Sequence, residues 1–104
     1  MSSAAETRII FGIVDPQGKI VSGTGFRTDK VDKGLYTILF LDVFNVVPTV
    51  VATQIYPNDI NSHGGNTNDN AVIVGITNDR VRIKVGDGNG AAADRYFSFI
   101  AMGI

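Results

Sequence analysis

The sequence predicts an all-β fold: a compact antiparallel β-sandwich of six to seven strands that works as an oligomer. Three observations predict it. No stretch repeats apolar residues at helical spacing over a useful length. Short β-like runs recur between Gly, Pro, Asn and Asp turn signals, and the twelve glycines fall between and inside those runs. Two runs, 35–41 and 95–103, are apolar on both faces where a half-buried strand would alternate with polar residues. One of those faces serves the core; a partner subunit is the simplest cover for the other.

The totals set the frame. A chain of 104 residues supports one core, so residues 1–6 read as a small polar lead-in and 7–104 as a single sandwich domain. Net charge is −1 with scattered cations, which offers no electrostatic footprint for nucleic acid or an acidic membrane. Without cysteine there is neither a disulfide framework nor a thiolate metal site. The start, MSSAAETR, has no basic segment followed by an apolar one, and no run approaches the ~20 apolar residues of a membrane span. A soluble protein is the default, whether cytoplasmic or part of a secreted or virion particle.

In chain order, residues 7–14 read as a strand and Asp15-Pro16-Gln17-Gly18 as a turn. Asp accepts a backbone bond at the first position, Pro presets φ at the second, and Gly closes the fourth. Residues 19–28 read as one returning strand, with Gly23 and Gly25 marking a bend, a close approach or a ligand contact. Residues 29–33 (DKVDK) are a charged loop into the strand 35–41, where Tyr36, Ile38 and Phe40 share one face and Leu35, Leu39 and Leu41 the other. An apolar loop, 42–48, leads to a β-branched strand, 49–56, between Pro48 and Pro57.

Residues 58–70 (NDINSHGGNTNDN) form the longest polar stretch, of the kind in which function often sits. Runs 71–77 and 80–85 flank the two-residue turn Asn78-Asp79. That register sets Ile76 opposite Val81, Val74 opposite Ile83 and Val72 opposite Val85, with Arg80, Arg82 and Lys84 on the other face. A glycine-rich loop, 86–94, precedes the last strand, 95–103. Its apolar character demands a central position or a covering neighbour. Tyr36, Ile38, Phe40, Phe97, Phe99 and Ile100 supply core and interface, undivided between the two.

Chemistry has few footholds. The single histidine, His63, stands without a nucleophile turn, so no enzyme is read here. Asp59, Asn61, Asn66, Asn68, Asp69 and Asn70 could offer oxygens to calcium, but their spacing is not that of an EF-hand and these residues are good turn formers; no metal or cofactor is assigned. GDGNG at 86–90 and SGTG at 22–25 precede no helix and are not phosphate loops. Three cations on one strand without aromatic neighbours read as a solvated sheet face. Sugar binding uses the loops best: Asn, Asp, Arg and His near Tyr56 or Tyr96 supply planar hydrogen-bond partners and an aromatic face, although the chain has no tryptophan.

One succession of segments runs from SGTGF (22–26) and YTILF (36–40) to the F-x-x-x-P-x-V of 44–50. An amide-rich loop, AVIVGIT (71–77), a charged strand and FSFIAMG (97–103) follow. This order resembles the H-type lectin domain over roughly residues 19–103. The resemblance implies a trimeric β-sandwich that binds N-acetylgalactosamine-like sugars near subunit boundaries. It departs at 97–101, where that family typically carries tryptophan, and at 86–94, where its sugar-stacking aromatic is missing. A C1q- or TNF-like jelly roll is the neighbouring possibility.

The expected partners are the chain itself, as a homotrimer or hexamer, and glycans. The expected contacts are Asn61, His63, Asn66, Asp69, Asp94 and Arg95. A structural or trimerising module, such as a fibre tip or scaffold piece, is the alternative.

Overall fold

A computed structural model describes residues 6–104. The expected lead-in falls largely on residues 1–5, outside the described ones. Eight strands follow in order: β1 (Arg8–Val14), β2 (Ile20–Gly23), β3 (Phe26–Asp32), β4 (Leu35–Phe40), β5 (Thr49–Ile55), β6 (Asn70–Ile76), β7 (Arg80–Gly86) and β8 (Tyr96–Gly103). They form two four-stranded antiparallel sheets, β2-β1-β8-β5 and β3-β4-β7-β6, hereafter the first and the second. The arrangement is sandwich-like and all-β. Among the described residues no helix is long and apolar enough to cross a membrane.

The inward faces share one apolar core. Tyr36, Ile38, Val81 and Ile83 from the second sheet and Phe97, Phe99 and Ala101 from the first are all essentially buried. Phe26 meets Phe99 edge-on at 4.9 Å between centroids, and Tyr36 meets Phe97 at 5.1 Å, so aromatic pairs join the two sheets directly. Each such pair contributes about 0.5–1.5 kcal/mol beyond its area burial. The core and interface residues named from sequence now separate. Tyr36, Ile38, Phe40, Phe97 and Phe99 are core, while Ile100 points outward and is 45% exposed.

Most strand boundaries match the sequence reading to within a residue or two. The Asp15 turn forms as expected: Gly18 N–H donates to the Asp15 carbonyl at 2.9 Å, and the Asp15 carboxylate accepts from Gln17 and Lys19 N–H. β8 is a central strand, paired with β1 on one side and β5 on the other.

Three expectations are corrected. The run 19–28 is two strands in different sheets, which brings the number of strands to eight. The chain crosses at residues 23–25, where Gly23 and Gly25 have φ of 103° and 88°. A Cβ at Gly23 would collide with the Phe11 carbonyl oxygen, so both the bend and the close approach require glycine there. The charged stretch 29–33 is not a loop: β3 runs to Asp32, because pairing with β4 supplies the backbone bonds whatever the side chains prefer.

The hairpin β6–β7 turns at Asn78-Asp79 as expected, with Ile76 opposite Val81. A bulge between Ile73 and Gly75 then shifts the register, so that Ile73, not Val74, faces Ile83, and Ala71, not Val72, faces Val85. Two residues opposite one reverses every side chain beyond the bulge. Val72 and Val74 therefore lie outward and exposed.

Candidate functional site

One end of the molecule gathers the β1–β2 turn, the β3–β4 turn, loop 56–69 and loop 87–95, and side-chain hydrogen bonds tie these connections together. Gln54, at the inward register of β5, donates from Nε2 to the Asn70 carbonyl at 2.9 Å and the Gly86 carbonyl at 2.7 Å. Its Oε1 accepts from Arg95 Nη1 at 3.2 Å. One amide thus pins the start of β6, the end of β7 and the entry to β8.

Arg95 does more than meet Gln54. Its guanidinium carbon lies 3.3 Å from the Tyr56 ring centroid, and Nη1 lies 3.7 Å from Asp69 Oδ2. The Arg95 and Asp69 side chains are only 13% and 10% exposed. A shielded ion pair stacked on an aromatic face is held firmly, because little water competes for either charge. Tyr56 is nonetheless 49% exposed.

Loop 56–69 is built by its own polar side chains. Asp59 Oδ1 accepts from Asn61 N–H, Ser62 Oγ from Gly64 N–H, Asn66 Oδ1 from Asn68 N–H, and Asp69 Oδ2 from Asn66 N–H. These local turns explain the Asn/Asp richness of the loop. Among the described residues no three His, Cys, Asp or Glu side chains gather as a metal-binding group.

An open groove of about 450 Å³ runs along this loop, lined by Gln54, Tyr56, His63, Gly64, Gly65, Asn66, Thr67 and Asp69. Of the six residues expected from sequence, His63, Asn66 and Asp69 line the groove, and Arg95 braces it from behind Tyr56. Asn61 and Asp94 are not brought there.

Asp94 faces the opposite way. Its Oδ1 accepts from Gly34 N–H at 2.7 Å and lies 3.5 Å from the Tyr36 hydroxyl and 3.3 Å from Lys30 Nζ. The Gly34 N–H, joined by Lys30, holds the Asp94 carboxyl below the usual carboxylate range. Burial, reinforced by the Asp94 charge, pushes the Tyr36 phenol up, so it stays protonated and donates to the Pro16 carbonyl at 2.6 Å. Asp94 therefore clasps the β3–β4 turn to loop 87–95, while its neighbour Arg95 serves the groove.

Gln54 was not legible as a site residue. The available signal was a lone polar residue on the inward register after Val50 and Ala52, at the end of a strand where an amide can reach the connecting loops. No protein-family model, curated protein or solved structure matches this chain.

Proposed function

We propose that this chain is a non-enzymatic, oligomeric, lectin-like module whose loop-end groove takes a polyhydroxyl ligand of the carbohydrate class. The observation that carries this reading is the convergence of His63, Asn66 and Asp69 around a half-exposed Tyr56 in one open groove, with the Gln54 amide, committed to Asn70, Gly86 and Arg95, bracing its wall. Vicinal hydroxyls are read by planar amide, carboxylate and imidazole groups that offer donors and acceptors side by side. The apolar patch of a sugar ring needs an aromatic surface, and Arg95 holds Tyr56 in one orientation. The groove is shallow, so a single site binds weakly and several copies bind through avidity.

A glycan array printed at high density tests this. Binding that falls at least tenfold in Tyr56→Ala and Asn66→Ala supports it. No signal above background from a protein of verified oligomeric mass ends it.

A second reading, a structural module whose activity is assembly, is favoured by a different observation. The outer face of the first sheet carries no charged side chain and exposes Ile9, Phe11, Val51, Ile100 and Met102. Under that reading the chain assembles fully and binds no glycan.

A further inference from the structure

The outward residues of the first sheet follow from its register. One row reads Phe11–Ile100–Val51, the next Ile9–Met102–Thr49, and a third Ser22–Ile13–Ser98–Thr53, with Ile55 opposite Tyr96 beyond. None of these residues is charged, in a chain that is 18% Asp, Glu, Lys and Arg. Phe11 is 59% and Val51 60% exposed. Two adjacent apolar rows present on the order of 500 Å² of apolar surface, at the upper end of what a monomer exposes as its largest patch. The flanking hydroxyl row brings the face close to the ~800 Å² per partner of a standard stable interface.

We infer that this face is the interface between copies of this chain, sheet packed on sheet. The area is of the size that a stable association needs. The chemistry is self-complementary: apolar rows meet apolar rows, and the hydroxyls of Ser22, Ser98 and Thr53 are each donor and acceptor, so like pairs with like under a symmetry axis. A partner of different sequence that read charge would find none here. An anionic lipid surface is disfavoured for the same reason, because apolar faces that seat on such membranes are flanked by cations. In this molecule the cations of Arg27, Arg80, Arg82 and Lys84 lie on the outer face of the other sheet. The apolar surface does not stop at the sheet: Asn45 N–H donates to the Ile104 carbonyl at 2.8 Å, and the loop that Asn45 belongs to exposes Val46 and Val47.

This inference deepens the multivalence in the proposed function but does not depend on its ligand. The test is the solution mass by light scattering over a dilution series, with Ile100→Glu on the proposed interface and Lys84→Glu on the opposite sheet as control. The wild type is expected at a defined multiple of the 11.1 kDa chain mass. Ile100→Glu is expected at the single-chain mass with an unchanged circular dichroism spectrum, and Lys84→Glu at the wild-type mass. Should Ile100→Glu fail to fold, Thr53→Lys, at a position already polar and exposed, puts a charge on the same face.

A wild type that stays single-chain at every concentration overturns the inference and leaves the face to a different protein or a lipid surface. So does a folded Ile100→Glu or Thr53→Lys that keeps the multimer mass. The mass is read without sugar, so a blank glycan array leaves this result standing. Conversely, a folded monomeric variant that still binds soluble sugar but loses its dense-array signal separates the interface from the groove.

Discussion

The outer faces of the two sheets start from the same kind of central strand and end differently. β4 and β8 are each apolar on both sides. In the second sheet, Leu39 lies between Arg27 and Arg80, and Leu35 between Asp32 and Lys84. Thr37 is buried beneath Arg82, whose Nε and Nη2 each donate to its hydroxyl at 3.2 Å. Long cationic side chains lay their apolar stems over the Leu35 and Leu39 rows and keep their charges in water, while on the edge strand β6 Val72 and Val74 stay exposed. In the first sheet, Ile100 lies between Phe11 and Val51, and Met102 between Ile9 and Thr49, so no neighbour provides cover. A strand's own pattern shows that it is apolar on two sides. Its sheet neighbours decide whether the outward side is already covered.

The comparison can be broken in several places. The largest expected effect is on what the two sheets share: Phe97→Ala removes a fully buried ring between them and should cost about 3–5 kcal/mol in chemical denaturation. A loss below 1 kcal/mol would mean that the sheets do not depend on one core. Next, Arg82→Ala removes both the apolar stem that covers Thr37 and the guanidinium that donates to its hydroxyl, for an expected loss of about 1–2 kcal/mol. Thr37→Val made in that background should recover part of it.

Asp94 gives a pH dependence at the loop end, independent of either outer face. Its folded-state pKa is lowered, so its contribution is fully present above the unfolded value of about 3.9 and is lost as pH falls through the lowered folded value. Asp94→Asn should flatten that acid limb in pH-dependent thermal unfolding, whereas an unchanged limb would assign acid sensitivity to other carboxylates. The smallest effect is expected at Lys84→Ala, exposed on the covered sheet, which should stay within about 0.5 kcal/mol of wild type. A larger loss there would show that cation stems contribute more than cover.

Legibility in the sequence followed the range of the interactions. The Asp15-Pro16-Gln17-Gly18 and Asn78-Asp79 turns were readable because their bonds close within a few residues. The β4 and β8 patterns were readable because period-2 side chains report burial directly. The Val74 bulge was not, since one residue slipped out of register leaves every local preference satisfied while reversing the faces beyond it. The crossing at Gly23–Gly25 had a signal in its glycines, but not one that tells a bend inside a strand from a passage between sheets. In the candidate site, His63, Asn66 and Asp69 stood out as loop polars. The stacking of Arg95 on Tyr56 and the reach of Gln54 join residues about forty positions apart, for which one sequence holds no local sign. Asp94 and Arg95 are adjacent, yet they serve opposite sides of the loop end.

The pairing of β1 with β8 also governs how the molecule forms. These are the first and last of the eight strands in chain order, and every residue of β1 has a partner in β8. The centre of the first sheet is thus the longest loop closure in the molecule, and nothing local rewards it beforehand. Chains dominated by such distant pairings fold slowly, on the millisecond-to-second scale. Until β8 arrives, β1 and β5 have no strand between them and their apolar rows stand open to other unfinished chains. The second sheet starts from two local hairpins, β3–β4 and β6–β7, and needs only the shorter closure of β4 on β7, so it supplies the surface on which the late strand condenses.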